Sequence, residues 1–501
     1  MIRHTLHRLD LAIRRRVTLA DFADQIADLW GARRVATDAG TGEELSYRQA
    51  AERVAKWSNA IAEQIEPGQP VVLATANSYD QFLLCLAVSR AGGLAAPVNR
   101  QMRAAEIDHV IVDSGASLVV RSHDELRLDA PACIPATPDP SDVAALFYTS
   151  GTTGRPKGAE LTHRALVGQS SLAALWPAHL RRDEVVVALP VAHIMGFITL
   201  VGLATAAMPV YFMARFNPTG VLDAIETRRS TGFVGVPTMY RMMLEAGASE
   251  RDLRSIRVWV SGADVMPTEL ARAFKAFGAS ATLPLIGTRG EAAFVEGYGM
   301  VEVGGGVAAK FSPPFSKLGV GETVGFRLPG YRFKVVDDHD RAVAMGGLGE
   351  LWIKGPGVLK GYWNAPAATA EAITDDGWLR TGDLVRVGPF STVVFCGRRK
   401  HVIKSGGYSV YPLEIEAVLE EHPEIVEASA VGLPDPKLGQ VPVAAVRLAR
   451  RSKLTPDEII AWGEANLAHY KAPRQIVVVR ELPRTGTDKV QKERLAELFA
   501  S

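Results

Sequence analysis

Residues 148–158 read Tyr-Thr-Ser-Gly-Thr-Thr-Gly-Arg-Pro-Lys-Gly and directly follow the apolar run Val-Ala-Ala-Leu-Phe at 143–147. The apolar run predicts a buried strand. The stretch after it predicts a turn that leads into a helical segment. Small residues let backbone N–H groups close around an anion. Gly151 and Gly154 open the backbone, the hydroxyls of Thr149, Ser150, Thr152 and Thr153 add donors, and Lys157 supplies charge. This is the composition of a phosphate cradle. It is not a Walker A loop, because Pro156 stands where that motif needs its last glycine and Gly158 replaces the Ser or Thr that would hold magnesium. As a bare Gly/Thr loop it also fits a purely structural turn, and the order of all eleven residues weighs against that.

On either side of this loop, short apolar strands alternate with helical stretches. A helix over 46–61, a strand over 71–74, a helix over 79–91 and an apolar segment over 93–97 precede it, and the same alternation recurs from 185 to 260. Such alternation predicts an α/β fold with mostly parallel sheets covered on both faces. Beyond about residue 320, Gly-rich turns and short strands predict an antiparallel β appendage, and the last hundred residues read as a small α+β domain. The uncharged run 194–214 is long enough to span a bilayer. However, Pro209 cuts it and Gly196 and Gly202 weaken it, so it reads as a core helix followed by a core strand.

The chain has 501 residues, 56 Lys plus Arg against 55 Asp plus Glu, and 47% apolar residues. Its length predicts two to four domains, and its near-zero net charge argues against a nucleic-acid partner. Cys85, Cys133 and Cys396 lie far apart without metal-ligand spacing, which fits a reducing, cytoplasmic setting. At the N-terminus Ile2, Leu6, Leu9, Ile13 and Val17 recur at helical spacing among Arg3, His4, Arg8 and Arg14 to Arg16. That basic amphipathic helix either docks on its own domain or touches an anionic membrane surface.

Further motifs follow in order: Leu-Pro-Val-Ala-His-Ile-Met-Gly at 189–196, Ser-Gly-Ala-Asp at 261–264, Tyr-Gly-Met-Val-Glu at 298–302 and Thr-Gly-Asp at 381–383. After them come Gly-Arg-Arg-Lys-His at 397–401, which continues through Lys404 and Gly406-Gly407-Tyr408, and Pro-Arg-Thr-Gly-Thr-Asp-Lys-Val-Gln-Lys at 483–492. With the loop at 148–158 they give the chain a resemblance, from about 45 to 492, to the adenylate-forming superfamily of acyl-CoA synthetases, non-ribosomal peptide adenylation domains and luciferases. Within it the chain is most like bacterial fatty acyl-CoA synthetases.

The resemblance implies a large N-terminal adenylation domain over 1–399, a small mobile C-terminal domain over 400–501 and a hinge near Lys400. It implies ATP, Mg2+ and coenzyme A, and two steps: a carboxylate attacks the ATP α-phosphate to give acyl-AMP and pyrophosphate, then a thiol displaces AMP. Thr149, Ser150, Gly151, Thr152, Thr153, Gly154 and Lys157 would hold the phosphates, and Glu302 the metal. Gly262, Ala263, Asp264, Tyr298, Gly299, Met300 and Val301 would surround adenine and the α-phosphate. Asp383 would take the ribose hydroxyls beside Arg398, and Lys404, Gly406, Gly407 and Tyr408 would meet the thiol substrate. Lys489, with Lys157 and Glu302, would be catalytic, bridging the carboxylate and the α-phosphate.

Two positions depart from the family pattern: Val301 stands for the usual Thr and Asp488 for the usual Gly, which predicts slower adenylation. The residues around His193 lack the aspartate of amino-acid-activating relatives. His193, Gly235, Val236 and the run from Gly304 to Gly306 are read as lining a substrate pocket with few obstructions, suited to a medium- or long-chain fatty acid. Malonyl- and aryl-CoA synthetases, an acyl-AMP ligase that serves a carrier protein, and a non-catalytic binding module are the alternatives, with a homodimer left open.

Overall fold

The computed structural model describes residues 8, 9, 12, 16–149, 155–168, 170–177, 182–283, 287–316, 323–484 and 490–499. Ser150 to Gly154, Asp488 and Lys489 lie outside the described residues, as does most of the expected N-terminal helix. Arg8 lies within them. It donates from Nε to the Ala174 carbonyl at 2.7 Å and from Nη2 to the Trp176 carbonyl at 2.5 Å, and its guanidinium sits 5.4 Å from the centre of the Trp30 ring. These contacts tie position 8 to its own domain.

The chain forms two compact units, Met1–Arg332 with Ile353–Leu379, and Phe333–Trp352 with Arg380–Ser501. The first carries a five-stranded sheet in the order Leu118–Val120, Pro70–Leu73, Leu94–Pro97, Val143–Thr149, Lys157–Thr162. Its first four strands run parallel, and the last returns antiparallel as one edge. The stretch after the phosphate loop is therefore a strand before it is a helix: Lys157–Thr162 pairs back on Val143–Thr149, and only His163–Val167 turns helical. Lys157, Gly158 and Ala159 alone gave little strand signal. The pairing partner supplies it.

The nine-stranded sheet runs Phe326–Arg327, Gly305–Ser312, Ala293–Met300, Val258–Gly262, Gly232–Gly235, Val185–Val187, Val210–Phe212, Arg34–Asp38, Glu44–Ser46. Its middle six strands are parallel. One face packs on a buried aromatic layer in which Tyr240 lies 4.9 Å from Phe274 and Trp259 5.0 Å from Phe274, with Phe233 and Phe294 beside them. Full burial of such rings, at about 1.5–3 kcal/mol each, fixes the strand ends that carry the site. The run 194–214 is the core helix Ile194–Thr205 and the core strand Val210–Phe212. Among the described residues no helix is long and apolar enough to cross a membrane.

The second unit contains a four-stranded sheet, Arg332–Val336, Leu348–Lys354, Leu379–Val387, Val393–Arg398, whose last two strands are antiparallel. Its other sheet orders Tyr408–Val410, Ile403–Ser405, Gly439–Leu448, Ile425–Asp435, with Ile476–Val478 added in parallel to Gly439–Leu448. Gly406 (φ +56°) and Gly407 (φ +84°) form the two-residue turn between Ile403–Ser405 and Tyr408–Val410. Two successive positive φ values are what a tight hairpin of this kind demands, and glycine meets them without strain.

Candidate active site

The hairpin of Val143–Thr149 and Lys157–Thr162, expected to hold phosphates, presents Thr149 and Lys157 as paired residues where the loop begins and ends. Lys157 Nζ lies 5.5 Å from the centre of the Tyr362 ring, and the Tyr362 hydroxyl donates to Glu302 Oε1 at 3.1 Å. A cation and a carboxylate from distant stretches of sequence are thus both brought to one aromatic residue, Tyr362. Glu302 sits in the short 3₁₀ turn Val301–Val303, and its carbonyl accepts the Leu359 N–H at 2.9 Å. Among the described residues no group of three or more His, Cys, Asp or Glu side chains could cage a metal. A single carboxylate here would suit Mg2+, which proteins commonly hold by one or two carboxylates together with phosphates and water.

Tyr362 escaped the sequence reading. It belongs to Gly361-Tyr362-Trp363-Asn364, which lies along the edge strand. Glu160 N–H donates to the Gly361 carbonyl at 2.9 Å and Trp363 N–H to the Gly158 carbonyl at 2.8 Å. An aromatic pair between a glycine and an asparagine was the available signal.

Gly262 ends the strand Val258–Gly262, and Ala263 follows at φ +68°, a left-handed conformation unusual for a residue with a Cβ. The chain turns there, with Asp264 Oδ1 accepting the Val265 N–H at 2.8 Å. Tyr298 lies on the neighbouring strand, half-buried, one residue past Gly297, the register partner of Gly262. Gly299 follows a β-bulge, and a Cβ on it would collide with the Gly305 carbonyl. Met300 and Val301 carry the chain from there into the Glu302 turn.

His193 caps the helix Ile194–Thr205, its Nδ1 accepting the Met195 N–H at 3.3 Å. Asn77 pins the preceding residues: its Oδ1 accepts the Val191 N–H and its Nδ2 donates to the Ala214 carbonyl, both at 2.9 Å. The glycines expected to clear a pocket mostly face filled space. A Cβ on Gly235 would strike the Phe233 ring at 2.6 Å, one on Gly304 would meet the Ala165 carbonyl at 2.8 Å, and one on Gly305 would overlap Ile198. Val236 is buried at the start of the helix Pro237–Glu245. Open space lies at Gly306, the one glycine of that set with only Leu328 near its missing Cβ, at 4.0 Å, and also at Gly297. Gly297 sits within the nine-stranded sheet with partners on both sides, yet it is exposed and has only the Ser261 carbonyl near its missing Cβ, at 3.9 Å. Register places Gly262, Gly297, Ala309 and Phe326 in one row on one face. Met195 closes the Gly262 end at 3.3 Å, Phe326 stands exposed at the other, and Phe311, also exposed, lies two residues along the strand from Ala309.

In the second unit Asp383 and Arg398 are cross-strand partners joined by an Nε–Oδ1 ion pair of 2.7 Å, with Asp383 almost fully buried. The Asp383 N–H donates to Thr381 Oγ1 at 3.0 Å, and the Thr381 hydroxyl donates to the Leu351 carbonyl at 2.6 Å. An acceptor carboxylate is thereby fixed in direction. Lys404 Nζ donates to Ser409 Oγ at 2.8 Å, and Tyr408, exposed, stacks on Tyr470 with ring centres 4.3 Å apart. Lys400 Nζ pairs with Glu493 Oε1 at 2.8 Å. Burial pushes the Glu493 carboxyl upward, but the Lys400 hydrogen bond, a backbone N–H and the charges of Lys400 and His401 together outweigh it and hold the group at about 2. The segment that carries Lys489 is anchored at both described ends, through Arg484 to Glu427 at 2.7 Å and Lys492 to Glu416 at 2.5 Å.

Against known proteins, the family described as AMP-binding enzyme matches residues 23–363, and the AMP-binding enzyme C-terminal domain matches 414–489. The chain is 33% identical over 485 residues to a feruloyl-CoA synthase of Amycolatopsis, covering 91% of this chain and 94% of that one. It is 32% identical over 369 residues to a long-chain-fatty-acid–CoA ligase of Bacillus subtilis, covering 73% of this chain and 63% of that one. Among solved structures, ATP-bound MatB from Rhodopseudomonas palustris superposes with a TM-score of 0.84 at 28% identity, over 96% of this chain and 99% of that one.

Proposed function

The chain belongs to the AMP-binding enzyme family and is an AMP-forming acid–thiol ligase that works with ATP, Mg2+ and CoA. From that premise we propose that its carboxylate substrate is a flat, apolar aromatic acid. The observation that carries this reading is the row that runs from Gly262 through the exposed Gly297 to Ala309. It is bordered by Met195 and ends at the exposed Phe326, with Phe311 two residues along the strand from Ala309, and its four residues include no cation to receive a second carboxylate. Aromatic walls favour offset or edge-on contact with a ring. The feruloyl-CoA relative, similar over nearly its whole length, supports the same class. A fatty acid is the second reading, favoured by the Bacillus ligase.

In the first step a carboxylate oxygen attacks the α-phosphorus of ATP and pyrophosphate leaves. In the second the CoA sulfur attacks the acyl carbon and AMP leaves. We place Thr149, Lys157 and the loop between them on the β- and γ-phosphates, Tyr298 and the turn at Gly262 to Asp264 on adenine, and Asp383 with Arg398 on the ribose. Lys489 meets the two anions as they approach. The chemistry demands charge neutralisation and alignment more than acid–base work. Magnesium, when bound, would neutralise phosphate charge, and Glu302 would hold it. For the thiol step the Gly406–Tyr408 turn swings in about the hinge near Lys400. The test is pyrophosphate release and thioester formation with ferulate, benzoate, octanoate, palmitate and malonate, each with and without CoA. A hydroxycinnamate-type acid should give the highest kcat/KM. Preference for palmitate overturns the aromatic assignment, and pyrophosphate without thioester points to a carrier-protein acceptor.

A further inference from the structure

The helix Ala104–Ser114 packs on the first strand of the hairpin, where Val110 shares a buried cluster with Leu146, and its side chains also bond to residues on either side of the loop. Before the loop, the Tyr148 hydroxyl donates to Asp113 Oδ2 at 2.9 Å, while the Tyr148 ring fills the space a side chain at Gly158 would need, 3.0 Å from the missing Cβ. After the loop, His109 Nε2 lies 2.9 Å from the Pro156 carbonyl, one residue ahead of Lys157. Residues 109 and 113 are one helical turn apart and share a face. The end of the helix is equally committed. Gly115 caps it at φ +62°, and the last carbonyls of a helix lack partners within it. Here the Asp113 carbonyl accepts Asn364 Nδ2 at 2.9 Å and the Ser114 carbonyl accepts Trp363 Nε1 at 3.1 Å. Those donors directly follow Tyr362, whose ring lies near Lys157. One turn of helix thus holds both ends of the phosphate loop and the segment that brings Tyr362 to Lys157 and Glu302.

We infer that His109 and Asp113 are positioning residues for the nucleotide phosphates, setting where Lys157 stands without touching ATP themselves. The inference rests on the assignment of the hairpin to the phosphates. Burial, and then the Asp113 carboxylate, push the Tyr148 phenol far above its ordinary value, so it stays a donor at any working pH. A structural clamp would be indifferent to which substrate is limiting. A positioning clamp moves the KM for ATP alone, because misplacing a charge by a fraction of a bond length weakens the interactions aimed at the phosphates.

The experiment compares Tyr148→Phe, Asp113→Ala, Asp113→Asn, His109→Phe and the Tyr148→Phe/Asp113→Ala double variant. It measures KM for ATP and for the carboxylate from pyrophosphate release, and ATP affinity by calorimetry. Tyr148→Phe and Asp113→Ala should each raise the KM for ATP about tenfold, the loss expected for a hydrogen bond to a charged group. The carboxylate KM should stay within about twofold, and the double variant should be no worse than either single one, since both remove the same bond. Asp113→Asn keeps an acceptor oxygen and should recover most of the loss, and His109→Phe should raise the KM for ATP on its own. An unchanged KM for ATP, or equal rises in both KM values, overturns the inference. If Asp113→Ala does not fold, Tyr148→Phe carries the test, because it loses one oxygen and keeps its ring against Gly158. If the wild-type protein releases no pyrophosphate with any acid, the functional reading fails, while calorimetric ATP affinity still decides the clamp.

Discussion

Removing a single oxygen atom tests the grouping of Lys157 and Glu302 around Tyr362. Tyr362→Phe keeps the ring 5.5 Å from Lys157 Nζ and deletes the 3.1 Å hydrogen bond to Glu302 Oε1. A hydrogen bond to a charged group contributes about 1.5–3 kcal/mol. Glu302 is half-buried and the bond is long, so the lower end applies, and about 1.5 kcal/mol is about tenfold in an equilibrium constant. The loss should fall on the metal-dependent part of the reaction, because the lost donor orients the carboxylate proposed to hold magnesium. Pyrophosphate release should therefore be titrated with Mg2+ at saturating ATP and carboxylate. The half-saturating Mg2+ concentration should rise about tenfold, with kcat at saturating metal reduced far less. Tyr362→Ala should add a kcat loss, since Lys157 then loses its aromatic neighbour. A wild-type Mg2+ dependence in Tyr362→Phe would refute the reasoning, and so would an equal fall in kcat at all metal concentrations.

Val301→Thr restores a hydroxyl beside Glu302 and should raise kcat/KM of the pyrophosphate-releasing step about tenfold, equivalent to one charge-assisted hydrogen bond; a slower variant would show that the surrounding turn has adapted to valine. Gly299→Ala should lower the melting temperature by several degrees or prevent soluble expression, because its Cβ has no room against the Gly305 carbonyl; a wild-type melting temperature would mean that the bulge relaxes freely. His163 is buried and neutral, accepting the Leu19 N–H at 3.1 Å, with burial lowering it from 6.5 to about 4. Between those values the unfolded chain binds more protons than the folded one, so stability is complete above pH 6.5 and falls as the pH drops toward about 4, by at most about 3 kcal/mol. Urea melts from pH 7 to 4.5 should show that slope, and His163→Asn should flatten it; an unchanged slope in the variant would assign the acid sensitivity to other groups.

The sequence reading located elements and motifs well where the information is local. The strand at 143–147, the core helix and strand within 194–214 and the paired Asp383 and Arg398 follow from apolar runs and short motifs. What it missed depends on pairing between distant segments. Lys157–Thr162 is a strand because Val143–Thr149 lies beside it, and Ile476–Val478 because Gly439–Leu448 does. Tyr362, His109 and Asp113 reach the phosphate hairpin from other parts of the chain, and nothing in their own neighbourhoods announces the contact. The glycines were read with the wrong sign at Gly235 and Gly304, since glycine serves equally to open a pocket and to let two backbones meet, and only the neighbours tell the two apart. Gly306, which the sequence reading placed in the pocket, is open, and so is Gly297 ahead of Tyr298.

The edge strand Lys157–Thr162 has a further consequence for how the chain is made. Its outer rim is covered by Lys360 to Trp363, through the Glu160 N–H to the Gly361 carbonyl, the Lys360 N–H to the Glu160 carbonyl and the Trp363 N–H to the Gly158 carbonyl. That cover leaves the ribosome about two hundred residues after the strand it protects, tens of seconds at ordinary rates of synthesis. Throughout that interval the phosphate hairpin exposes an unpaired edge, the kind of surface on which nascent chains join one another. Segment 360–363 therefore acts in biogenesis as well as in the finished enzyme, and a chain that stalls before residue 360 leaves a sticky sheet rather than a shorter ligase.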